Sequence, residues 1–329
     1  MLVFSRLLGF CFNLFEPVFR LGQKWLGASR IGWLFVGPNL LVIGLFTLLP
    51  IVINLAYAVT GGVNLLPAQR PFTGMENFVT LLECRDYTDL QSCRTDIFLR
   101  SIFSTVKFSL IQVVLMLFFS LATALVLNRK IIGRGFWRGV FFYPVLLSPV
   151  VVALIWKWLL QSQGVLNAGL AAVGTEPINW LLDRHWAFFW VVVVSIWAHM
   201  GFYTLILLAG LQAIPKDVYE AAEMDAAPPW RVLSRITLPL LMPNLIVVLV
   251  LLMIRAVQIF DEVFVLTGGG PGSATTFIVQ YIYQTGFAEQ IHLYGLAAAA
   301  SLILAVGLMA LTLAQLRLSR ASEAGKAKK

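Results

Sequence analysis

Charge is what this chain has least of. Asp, Glu, Lys and Arg make up 12% of its 329 residues, about half the share of an ordinary soluble domain. Together with 59% hydrophobic residues, that scarcity excludes a soluble globular protein. Three cysteines cannot build a disulfide scaffold, and no Cys-x-x-Cys pair is present for a redox or metal centre. The three histidines, His185, His199 and His292, fall in different segments, which does not fit the spacing of a metal site. There is no GxxxxGK[ST] loop, so the chain cannot cradle ATP itself, and no GxSxG or HExxH pattern. An enzyme reading has no residues to stand on, and no metal or cofactor is expected on this chain.

Long apolar runs take the place of what is missing. About 20 apolar residues cross a bilayer, and six runs qualify: Gly32–Val59, Ile102–Leu127, Gly139–Leu160, Trp186–Leu211, Leu240–Leu266 and Leu293–Leu316. Backbone groups in lipid must be satisfied internally, so these runs are expected to be helices. The short alternating segments of a membrane β-barrel are absent. The expected class is therefore an all-α integral membrane protein with six transmembrane helices.

The net charge is +8, but the basic residues flank apolar spans, which fits a lipid bilayer and not nucleic acid. Sixteen of the 24 Lys and Arg residues lie in 1–30, the turn after the second span, the loop containing Glu220 and the C-terminal tail. Five lie on the other side and three within spans. The asymmetry puts both termini and the Glu220 loop in the cytoplasm.

Residues 1–30 carry an apolar helical stripe interrupted by Arg6, Asn13, Glu16, Arg20 and Lys24. That pattern fits an interfacial amphipathic helix ended or kinked near Pro17, or an ordinary flank of the first span, better than a signal peptide. Residues 31–318 form the membrane domain, and the tail at 319–329, "SRASEAGKAKK", is expected to be disordered. Cys84 and Cys93 share the external loop "LLECRDYTDLQSCRT". They face an oxidising compartment in this topology, so a disulfide is expected between them.

Polar residues inside the spans are few and expensive. Arg255 lies well within the fifth run, and at 100° per residue it shares a face with Gln258 and Glu262. That stripe either borders a translocation cavity and meets substrate, or pairs structurally with neighbouring helices. Glu262 is about 10 Å from Arg255 along a straight helix, so a partner outside the fifth run is expected for the guanidinium. His199 and Tyr203, four residues apart in the fourth run, form a second polar face; a buried, hydrogen-bonded histidine is its simplest reading.

Between the fourth and fifth runs stands "EAAEMDAAPPWRVLSRITLPLLMP", Glu220 to Pro243. Pro215 suits a helix start, and Asp217, Glu220 and Glu223 lie early, where the helix dipole favours anions. Ala221 and Ala222 allow close approach of another surface, and Pro228-Pro229 stops the helix. A second short helix is expected over Trp230–Ile236, with Pro239 at the entry to the fifth span. Such an elbow serves as a docking knob for a partner's groove, or is a solvated loop.

The stretch closely resembles the EAA motif, EAAxxDGA followed by xxLP, of permease subunits in binding-protein-dependent ABC importers. Glu220, Ala221, Ala222, Asp225, Ala227, Leu238 and Pro239 match it, and Ala226 stands where the family usually has glycine. "FDEVFVLTGGGPGSATT", Phe260 to Thr276, resembles an external-loop signature of carbohydrate-uptake permeases of the maltose and glycerol-phosphate type. Gly268, Gly269, Gly270 and Pro271 make its tight turn. "SPVVVALIWKWLL" followed by "GVLN", Ser148 to Asn167, also looks like this group.

The resemblance spans roughly residues 31–318. It implies an inner-membrane permease of a bacterial cell, with a cytoplasmic coupling helix in the loop 212–239 that docks on an ATPase. The implied partners are a second homologous permease, two cytoplasmic ATPase subunits that bind Mg-ATP, and a periplasmic solute-binding protein. The implied substrate is a sugar or glycoside moved by alternating access. The alternative from another class is an ion-coupled secondary transporter, which needs no ATPase and in which broken half-helices are expected near the midplane.

Overall fold

A computed structural model gives the backbone of residues 32–327 apart from 88, 90 and 91, with side chains between 36 and 317. The amphipathic helix expected over 1–30 lies outside the described residues. Two compact units divide the chain, residues 1–57 and 58–329.

In the first unit, α1 (Gly32–Ile43) passes through a π-turn, Gly44–Leu48, into α2 (Leu49–Ala58). The wide turn closes with the Leu49 N–H on the Gly44 carbonyl, immediately before Pro50. A proline ring clashes with the carbonyl four residues back and offers no N–H, and a wider turn relieves that clash.

The second unit contains α3 (Glu76–Leu82), α4 (Asp96–Asn128), α5 (Arg134–Phe142), α6 (Pro149–Leu159), α7 (Val165–Ala172) and α8 (Arg184–Ala213). It continues with α9 (Lys216–Met224), α10 (Pro229–Val232), α11 (Leu238–Val257), α12 (Asp261–Leu266), α13 (Ile278–Tyr283) and α14 (Tyr294–Ala327). Among the described residues five helices are long and apolar enough to cross a membrane, or six if one bent pair counts as a span.

The core lies between α4, α8 and α11. Along α4, Ser101, Thr105, Ser109, Gln112 and Ser120 are buried at helical spacing, and this narrow polar seam lets α8 approach closely. Gln112 Nε2 donates to Ser195 Oγ at 3.0 Å and Ser120 Oγ to the Met200 carbonyl at 3.2 Å. With lipid as apolar as leucine, close packing and interhelical hydrogen bonds hold such a bundle together.

Two expected spans are built differently. The run Gly139–Leu160 is not one helix. α5 leads through a 3-10 turn, Tyr143–Leu146, and the chain then bends by 99° into α6. Pro144 and Pro149 both remove N–H donors, and Leu147 and Ser148 are extended between them. Gly201 of α8 accommodates the corner: a Cβ there would collide with the Phe141 carbonyl.

The run Leu240–Leu266 also breaks. α11 ends at Val257, Phe260 leaves the helical region with φ −148° and ψ −64°, and α12 starts anew at Asp261. Nor is Trp230–Ile236 a separate short helix. α10 continues through a second π-turn, Leu233–Thr237, into α11. That turn ends at Leu238, just before Pro239, as the first one ends before Pro50. At the C-terminus, α14 carries helical backbone to Ala327, where a disordered tail was expected. The Ala, Arg, Lys and Glu content of 319–327 favours a helix.

Candidate functional site

The break after α11 turns Glu262 back toward Arg255. Arg255 Nη2 lies 3.5 Å from Glu262 Oε1, not the two helical turns expected of a continuous span. The same nitrogen lies 2.8 Å from His199 Nε2 on α8. His199 Nδ1 is 3.0 Å from the Ser195 carbonyl and 4.0 Å from Glu262 Oε1. A carbonyl only accepts and a guanidinium only donates. Nδ1 therefore carries the proton, and the neutral imidazole accepts from Arg255 through Nε2. Arg255 thus has a partner on another helix and one beyond the break in its own.

Glu262 is 2% exposed, and neither carboxylate oxygen has a hydrogen bond among the described residues. Its compensation is the charge of Arg255. The Arg255 side chain is 40% exposed and opens on a cavity of about 300 Å³, lined among others by Pro144, Leu147, His199, Phe202 and Tyr203. Tyr203 is buried at its wall, whereas Gln258 is exposed and does not line it. The sequence pattern names His199, Tyr203 and Arg255 but not Pro144, Leu147 or Phe202. The broken corner before α6 brings the two former residues to the cavity, and nothing in their spacing announces it.

At the opposite end of α8, α9 forms a compact elbow. Glu220, Ala221, Asp225 and Ala226 are exposed and Ala222 is buried. The helix closes with the Ala227 N–H on the Ala222 carbonyl and the Ala226 N–H on the Glu223 carbonyl, at 3.0 and 2.9 Å. That pattern is a Schellman cap, which requires a left-handed residue at Ala226, and φ there is +51°. The sharp turn is thus made without glycine. Pro239 is exposed on the following helix. Met224 and Trp230 project from the same elbow at 87% and 75% exposure, an apolar pair that motif matching passed over. Arg134 and Arg138 reach the Gln212 amide oxygen within 3.0 and 2.7 Å once the amide is turned to face them, so basic residues after α4 gather at this end.

The glycine-rich loop follows α12. Gly268, Gly269 and Gly272 have positive φ, and the Gly270–Pro271 bond is cis. Thr275 Oγ1 donates to the Gly270 carbonyl at 2.8 Å, and Thr276 Oγ1 to the Gly269 carbonyl at 3.1 Å. A Cβ at Gly269 would lie 2.7 Å from both Gln280 Nε2 and Thr276 Oγ1. Cys84 and Cys93 are joined by a disulfide with an S–S distance of 2.10 Å. Among the described residues no group of three His, Cys, Asp or Glu could hold a metal ion.

Residues 86–323 match the family described as binding-protein-dependent transport system inner membrane component. The chain belongs to this family. It is therefore a multi-pass membrane permease subunit of an ABC importer, and the ion-coupled alternative falls. The break after α11 does not revive it, because a discontinuous helix does not discriminate between the two classes.

Among curated proteins, this permease is 36% identical over 293 residues to the trehalose/maltose transport system permease protein MalF of Thermococcus litoralis, covering 89% of this chain and 94% of that one. It is 33% identical over 261 residues to the lactose transport system permease protein LacF of Rhizobium radiobacter, covering 78% and 83%. Among solved structures, it is similar to a chain of a bacterial ABC transporter involved in the import of the acidic polysaccharide alginate. There the identity is 26% and the TM-score 0.75, covering 91% of this chain and 99% of that one.

Proposed function

We propose that this permease forms one half of the translocation path of a sugar or glycoside importer in the bacterial inner membrane, with the Arg255 cavity as its substrate-facing site. The observation that carries the reading is the guanidinium itself. One Arg255 nitrogen is held by His199 and Glu262, while the side chain stays 40% exposed and lines the cavity. A planar fork positioned in this way suits a hydroxyl-rich or anionic solute. The names of the relatives, which transport trehalose, maltose and lactose, point to the same class of solute.

The remaining parts have roles in the same reading. The second permease is a homologous chain. Two cytoplasmic ATPase subunits bind Mg-ATP and receive the elbow formed by Glu220, Ala221, Ala222, Asp225, Ala226 and Ala227. A periplasmic solute-binding protein delivers substrate at the end that carries the glycine-rich loop and the disulfide. Both termini and the Glu220 elbow are cytoplasmic, in keeping with the Lys and Arg distribution. ATP binding draws the elbows together and the spans rock from inward to outward facing.

The testing experiment is uptake of labelled maltose, trehalose and lactose by cells carrying Arg255→Ala. Loss of uptake with an assembled complex and intact basal ATPase activity supports the reading. Uptake at the parental rate and affinity removes Arg255 from the path.

A further inference from the structure

The basic residues at the disulfide end of the second unit are largely satisfied. Arg70 donates to Thr60 and to the Asn64 carbonyl. Arg94 pairs with Glu83, and Arg100 with Asp96. Lys107 and Arg184, like Arg85, have no acidic partner among the described residues. Lys107 instead sits over the ring of Phe188, 4.9 Å from its centroid.

Both face one cavity of about 370 Å³, lined by Ser104, Lys107, Arg184, His185, Phe188 and Ala274. No acidic side chain lines it. Asp183 is close in sequence, but its Oδ1 accepts the N–H groups of His185 and Trp186 at 2.9 and 3.0 Å and so caps α8. A lysine, an arginine, an imidazole and a hydroxyl thus converge where a membrane protein of this topology carries few bases. The donors outnumber the acceptors, and the charge calls for an anion.

We propose that this cavity is a binding site for an anionic group, a carboxylate, phosphate or sulfonate. It is a second site, which shares no lining residue with the Arg255 cavity. Ammonium and guanidinium grip the oxyanion, the Ser104 hydroxyl donates to it, and the Phe188 face packs against the carbon skeleton that carries it. Two sources have this chemistry, the headgroup of an anionic lipid and a soluble solute bearing an acidic group.

The test uses the whole importer complex purified in neutral detergent, with the parental chain and with Lys107→Gln/Arg184→Gln. Both residues are exposed, so the thermal midpoint is expected to hold. Inorganic phosphate and glucuronate are titrated calorimetrically with glucose as the neutral control, and phosphatidylglycerol carried through purification is measured by native mass spectrometry. Binding of phosphate or glucuronate that weakens roughly tenfold or more in the double variant supports the site with a soluble source. Retained phosphatidylglycerol that is lost in the double variant, without binding of soluble anions, supports the site with a lipid source. If the double variant matches the parent for all three probes, the inference is wrong.

Discussion

Arg255 on α11 and His199 on α8 meet at 2.8 Å, although 56 residues separate them in the chain. The contact ties the helix that breaks at Gln258 to one that runs unbroken from Arg184 to Ala213. Glu262, beyond the break, supplies the counter-charge. Because the imidazole must accept from the guanidinium, His199→Lys is expected to be far more harmful than His199→Gln, whose carbonyl oxygen can still accept. Uptake kinetics distinguish them: the glutamine variant retains measurable transport and the lysine variant none.

Glu262→Ala removes the compensation from a partly exposed guanidinium. The expected result is a lower thermal midpoint of the assembled complex. Glu262→Gln restores shape without charge and is expected to fall between the parent and alanine. An unchanged midpoint in both variants would show that Arg255 has no need of its carboxylate.

Ala226 occupies a left-handed cap position that costs a residue with a Cβ about 1–2 kcal/mol. Ala226→Gly relieves that strain and loosens the unfolded chain, so a net stabilisation of up to about 1 kcal/mol is expected. Ala226→Val is expected to be worse than the parent. Thermal unfolding of the three complexes measures the order directly.

The elbow around Glu220 is exposed and projects Met224 and Trp230. Glu220→Lys reverses a charge on the surface proposed to enter the ATPase. Ala221→Trp fills the space proposed for the partner's wall. Both are expected to lose substrate-stimulated ATP hydrolysis or to shed the ATPase on purification. Removing one partner of a desolvated charged pair typically costs about 2–5 kcal/mol. Normal stimulation in both variants would deny the elbow its docking role.

Cys84 and Cys93 close a short loop with a sequence separation of 9. Without the bridge, as in Cys84→Ser/Cys93→Ser, the loop is expected to be cut faster by protease. Intact-mass measurement without reduction is expected to find no alkylatable thiol at either position in the parental chain.

How far the sequence carried the fold depends on which force wrote each feature. Hydropathy marks the spans plainly, because the bilayer demands about 20 apolar residues each time. The start of the elbow was legible too, since Pro215 opens α9, but its end was not: the helix stops at Met224 in a cap with Ala226 left-handed, ahead of Pro228. Pro144 and Pro149 stood in view at the bend before α6, yet the apolar count ran straight through them. The break at Gln258–Phe260 left no such sign: no proline or glycine lies between Arg255 and Glu262. Ile259 is buried, and Phe260 packs against Tyr283 of α13 with ring centroids 5.1 Å apart; contacts distant in sequence accompany that break. The helical wheel therefore named Arg255 and Glu262 together for the wrong reason and set His199 apart. The seam of Ser101, Thr105, Ser109 and Gln112 was legible in principle from its spacing of three and four residues.

The most direct measurement is uptake of a labelled sugar into proteoliposomes holding this permease with its second permease and ATPase, supplied with the binding protein outside. Mg-ATP is sealed inside, and proton and sodium gradients are collapsed with ionophores. Accumulation that requires the trapped ATP, survives the ionophores and is lost with Arg255→Ala is the expected result. Accumulation without ATP that follows an ion gradient, or undiminished uptake by Arg255→Ala, would contradict it.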